Sequence, residues 1–174
     1  KSFANFSFMF GGTNYNLDDI LSVDDNNIAG IKLFLGSSTG NMLIDNHKVI
    51  EEIFRNTKLP ISVHCEDEYI IKKNLINYIN KYGDDIPIDL HPEIRNEEAC
   101  YKSSKFAIEL AKKTDARLNV FHISTAKELD LFDNKLPLRQ KKITSEACAH
   151  HLWFTDKDYK LLGTKIKWNP AIKT

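Results

Sequence analysis

The sequence lacks several features that would settle its class at once. No apolar run approaches the ~20 residues that a membrane-spanning helix needs, and the opening KSFANFSFMF does not follow the basic, apolar, small-residue order of a secretion signal. Net charge is also missing. The 24 Lys and Arg balance the 24 Asp and Glu, interspersed along the chain, so no one-sided field points to nucleic acid or to a membrane surface. A small-molecule function in the cytoplasm is the expectation left standing. Cysteine is scarce and odd in number: Cys65, Cys100 and Cys148 have no paired spacing, which fits reduced thiols better than a disulfide framework. Cys65 reads as a thiol packed against a strand. There is no internal repeat or low-complexity tract. The segment GGTNYNL after FSFMF does not have the spacing of a glycine-rich phosphate turn, which argues against an open doubly wound nucleotide-binding sheet.

What is present is an alternation of two patterns. Short apolar, β-branched runs occur at residues 6–11, 30–36, 61–65, 118–124 and 143–148 and, less clearly, at 166–172. Segments with helical spacing lie between most of them. Val49, Ile50, Ile53 and Phe54 form an apolar face behind Asp45 or Asn46 as cap; Ala99, Phe106, Ala107 and Leu110 form another behind Asn96; Ile71, Leu75, Tyr78 and Tyr82 form a third that closes at Gly83. Strands alternating with helices predict βα units on a parallel sheet. The expected architecture is α/β, a partial (β/α)₈ barrel with about five βα units across residues 1–174, because a whole barrel takes about 250 residues. The start at Lys1 and the end at NPAIKT suggest that the outer strands of the barrel lie beyond both ends.

Three residues hold equivalent places in three strand runs: Lys32 in GIKLFLG, His64 in ISVHC and His122 in LNVFHIS. In a barrel they converge. Period-two alternation sets Lys32 and Phe34 opposite Ile31 and Leu33, so if the aliphatic pair packs on helices, Lys32 points into the lumen. Buried without a partner, its amine is neutral and able to take up carbon dioxide as a carbamate. The alternative is a lysine that reaches solvent or pairs with Glu66 or Glu146. Two strand-end histidines and a carboxylate on a long stem suit divalent transition metals, with zinc first, and leave coordination positions open.

These motifs carry a family resemblance. GIKLFLGSSTGNML resembles the bridging-lysine segment of dihydroorotases, ISVHCEDE their next metal-histidine segment, and FHISTAKEL the one after it, at intervals of 32 and 58 residues. HPEIRNEEACYKSS is similar to the family's loop-to-helix segment, and EACAHHLWFTDKDY with KIKWNPAIKT to its histidine pair and its substrate-binding asparagine strand. The resemblance implies two divalent metal ions, a carbamate on Lys32, His64 and His122 as metal ligands, and Asn169 and Thr39 as substrate contacts. It does not assign His150 and His151 to the metals, so a supporting role is expected for them; His47 and His91 are expected at the surface. The implied reaction is the reversible cyclisation of N-carbamoyl-L-aspartate to L-dihydroorotate. A hydantoinase or allantoinase-type hydrolase and a non-catalytic scaffold are the alternatives, and a homo-oligomer or an aspartate transcarbamoylase partner are the assemblies the family suggests.

The resemblance also breaks. The family's first strand carries a His-x-His pair and a nearby arginine, and its last strand a proton-shuttling aspartate; the chain has neither the pair nor that aspartate motif. No catalytic residue is therefore assigned, and the chain alone is expected to be inactive.

Overall fold

The computed structural model describes residues 2–24, 26–38 and 40–173. Five short strands, β1 (Met9–Gly11), β2 (Gly30–Phe34), β3 (Ile61–His64), β4 (Leu118–Val120) and β5 (Ile143–Ser145), lie side by side in chain order. Every neighbouring pair is parallel. The helices α1 (Leu17–Ser22), α2 (His47–Asn56), α3 (Glu68–Tyr82), α4 (His91–Ile94), α5 (Glu97–Thr114) and α6 (Ala126–Leu129) fill the crossovers, and α7 (Ala149–Trp153) and α8 (Tyr159–Leu162) follow β5. A parallel sheet in strict sequence order with helices between its strands is an arc of a (β/α)₈ barrel.

Helix boundaries follow local chemistry. The side chain of Asn46 accepts from the amides of Lys48 and Val49 to open α2, Asp67 accepts from Ile70 to open α3, and Asn96 accepts from Ala99 to open α5. Gly83, at φ +62°, ends α3 in a conformation that costs a residue without Cβ little. All three helical faces expected from the spacing are present.

The strand register sorts side chains to two faces. Ile31 lies opposite Ile61, Ile61 opposite Leu118, and Leu118 opposite Ile143. Ile31, Leu33, Ile61, Val63, Leu118 and Val120 are almost wholly buried against Ile50, Ile53 and Phe54 of α2 and Ala107, Ile108 and Ala111 of α5. Burying each large aliphatic side chain contributes about 1.5–3 kcal/mol, so this face holds the arc together. Lys32, Phe34, Ser62 and His64 take the other face, because Lys32 pairs with Ser62 and Phe34 with His64 in the same register.

Several strand expectations need correction: β2 stops at Phe34, β3 at His64 and β4 at Val120, each short of the apolar run that contains it. The first strand begins at Met9, not at residue 6, and β5 stops at Ser145. Residues 166–172 form no strand: Pro170 has no amide to donate, and the Trp168 and Pro170 carbonyls are taken by His91 and His151 and not by a neighbouring strand. Among the described residues, no helix is long and apolar enough to cross a membrane.

Candidate functional site

The strand ends on the inner face assemble a histidine pair. His64 closes β3, and His122 lies two residues past the end of β4, at φ +38°. A non-glycine residue there carries backbone strain of about 1–3 kcal/mol, and the turn brings its ring toward His64. Nδ1 of His64 and Nε2 of His122 are 3.2 Å apart. His64 Nε2–H donates to Oε2 of Glu66 at 2.8 Å, and Arg95 Nη1 donates to the same oxygen at 2.6 Å. Glu66 is fully buried. Burial alone would raise its pKa, but the His64 hydrogen bond and the Arg95 charge outweigh that and hold the carboxyl below its usual range. The carboxylate thus fixes the proton of His64 on Nε2 and leaves the Nδ1 lone pair facing His122.

Lys32 completes the set from the middle of β2. Its Nζ is buried without a hydrogen-bond partner, 3.9 Å from the centre of the Phe121 ring and 4.8 Å from that of Phe34. Neither Glu66 nor Glu146 pairs with it in the described structure. Desolvation pushes its amine down to about 8, opposed by Cys65 and Glu146. Burial, helped by the nearby Lys32, takes His122 down to about 3, so its ring is neutral at physiological pH.

The donors fit a divalent metal. Two imidazole nitrogens bound about 2.0–2.1 Å from one tetrahedral zinc lie roughly 3.3 Å apart, close to the separation found here. The orphaned Lys32 Nζ and a buried His122 Nδ1 without partner add polar atoms that nothing else in the described structure satisfies.

The other candidates are placed differently. Asn169 sits on an exposed loop, not a strand, and lines a cavity of about 430 Å³ with His91, Arg95 and Lys167. Thr39 lies outside the described residues. His91 is buried, not superficial, since its Nε2–H donates 2.8 Å to the Trp168 carbonyl. His47 is exposed, its ring against that of Phe106 with centres 4.8 Å apart and planes tilted by 32°. Cys65 packs in the core, where burial pushes its thiol up to about 12. Sequence reasoning missed the role of Glu66, although it stands two residues after His64 and period two puts both on one side. Arg95 gave no local signal at all, because it lies 29 residues away from its partner.

No family model matches the chain. It is 28% identical over 178 residues to the dihydroorotase of Methanosphaera stadtmanae, and 29% over 180 residues to an allantoinase of Desulfitobacterium hafniense; each alignment covers 99% of the chain. The L-hydantoinase (dihydropyrimidinase) of Arthrobacter aurescens superimposes on 98% of the chain with a TM-score of 0.83 at 22% identity, over 38% of its own chain. Over nearly its whole length the chain is thus similar to cyclic amidohydrolases. It spans 38% of the length of the two curated relatives. The five-strand arc corresponds in fold to a stretch of the hydantoinase chain.

Proposed function

We propose that the protein carrying this chain is a dihydroorotase, which interconverts N-carbamoyl-L-aspartate and L-dihydroorotate. One observation carries the reading: the His64 and His122 nitrogens meet at 3.2 Å on the face that also holds the unpartnered amine of Lys32. The lysine segment GIKLFLGSSTGNML, which resembles that of dihydroorotases, supports this substrate over a hydantoin.

In this proposal His64 and His122 would hold one of two divalent ions, zinc first, and a carbamate on Lys32 would help hold both. Such ions would supply Lewis acidity and a hydroxide near neutral pH at the cyclic amide. The chain's own residues do the rest. The neutral form of the Lys32 amine, made accessible by a pKa lowered to about 8, would attack carbon dioxide, form the N–C bond and release one proton, and the resulting carboxylate has the charge and reach that the ammonium lacks. Glu66, neutralised by Arg95, keeps His64 in one tautomer. Asn169 and Thr39 are the substrate contacts of this reading. A second reading, an allantoinase, is favoured by the 29% identity to the Desulfitobacterium hafniense protein.

The test is metal analysis and substrate profiling of the full-length protein with L-dihydroorotate, allantoin and hydantoin. Turnover of dihydroorotate with about two metals per chain is expected. Preference for allantoin would move the assignment to the second reading, and a metal-free inactive protein would support a scaffold.

A further inference from the structure

The loop after β5 gathers a second set of donors. Cys148, His150 and His151 each bring one donor atom within 4.8 Å of the other two, and all three are half-buried. None of them belongs to the Lys32, His64 and His122 set. Cys148 is the N-cap of α7 yet makes no side-chain cap hydrogen bond, so its sulfur is not engaged by the helix it begins. Cys148 and His151 are three residues apart, the spacing that puts two side chains on one side of a helical turn.

The two rings are held in place from outside the turn. His151 Nε2–H donates to the Pro170 carbonyl at 2.9 Å, which fixes the proton on that nitrogen and leaves the lone pair on Nδ1. That Nδ1 is buried and has no hydrogen-bond partner. A histidine anchored through one nitrogen to a carbonyl, with the other free, is oriented as metal-binding histidines are. His150 stacks on Trp168, ring centres 4.2 Å apart and planes 14° from parallel, and lies 4.4 Å from the His151 ring. Burial lowers the pKa of both imidazoles, which favours the neutral form a metal requires.

We propose that Cys148, His150 and His151 form a binding site for a soft divalent ion of the zinc class, with one thiolate, two imidazoles and a fourth position open to solvent. Sulfur with imidazole selects such an ion over magnesium or calcium. Tetrahedral zinc sets its donors roughly 3.3–3.6 Å apart, so side-chain rotations of about 1 Å close the site. On binding, the Cys148 thiol gives its proton to solvent while the sulfur bonds the ion. The site is independent of the function proposed above, from which it differs in having a sulfur ligand.

That sulfur supplies the test. Cobalt(II) is titrated into the metal-stripped full-length protein, and the near-ultraviolet thiolate-to-cobalt absorption is read. Cys65 and Cys100 are buried, with thiols pushed up to about 12, and should not contribute. A saturating thiolate band is expected, lost in Cys148→Ser, weakened roughly tenfold or more in affinity in His151→Ala, and kept in Lys32→Met, which addresses only the other site. Circular dichroism confirms that each variant is folded, with Cys148→Ala as the second removal of sulfur. A band that survives both cysteine variants, or cobalt bound without any thiolate band, overturns the proposal.

Discussion

Arg95 reaches Glu66 across 2.6 Å, from the end of α4 to the loop after β3, and so neutralises the carboxylate that orients His64. Glu66 is inaccessible and the Arg95 side chain is 16% exposed, so this is an ion pair in which each partner justifies the burial of the other. Gly36 belongs to the same arrangement, since a Cβ there would collide with the Glu66 backbone carbonyl.

Removing one partner should therefore be costly. Arg95→Ala leaves the Glu66 charge buried beside His64 alone, and a loss of roughly 3–5 kcal/mol is expected in urea denaturation. Arg95→Met together with Glu66→Gln should recover a good part of that loss. A single Arg95→Ala variant as stable as the parent would show that the pair contributes little.

Lys32 predicts a specific pH dependence. Its amine is pushed down to about 8 in the folded chain from the ordinary 10.5, so between those values the unfolded chain binds the extra proton. Stability must then rise with pH across that window, and the cost of burying the ammonium is fully felt below it. The difference between the metal-free parent and Lys32→Met, measured by urea denaturation from about pH 7 to 10.5, should shift toward the parent as pH rises. A difference that stays constant would mean the amine is solvated.

In the full-length protein, Lys32→Ala should lose roughly 10³-fold or more in turnover, about 4 kcal/mol of transition-state stabilisation. Short carboxylic acids should restore part of it, because the position has to supply a carboxylate and the lysine is its tether. Lys32→Arg should be inactive and not rescuable, since a guanidinium stays protonated and fills the space with the wrong charge. An active arginine variant would end the carbamate reading.

The 174-residue chain by itself should show no dihydroorotase turnover, because it contains no His-x-His pair. Activity at ~1 s⁻¹ or above, the low end of ordinary enzymes, would reveal a complete site built from other residues.

The sequence by itself determined the βα alternation, a cap at Asp45 or Asn46, the cap at Asn96, the stop at Gly83 and the candidacy of Lys32, His64 and His122. Each of those is written in spacing over a few residues: period two for strands, about 3.6 for helices, and a side-chain acceptor beside free helix amides. Tertiary structure decided the rest. Residues 166–172 look like a strand but find no neighbouring ladder, and His91 looks superficial but is buried under the Trp168 carbonyl, 77 residues away in the chain. The hydrogen bonds by which Arg95 and Glu66 orient His64, and the Cys148, His150 and His151 cluster, all depend on which backbone comes to lie beside which. Local periodicity carries no such information, because hydrogen bonding and charge neutralisation in a buried site are settled by packing across the arc and not by neighbours in sequence.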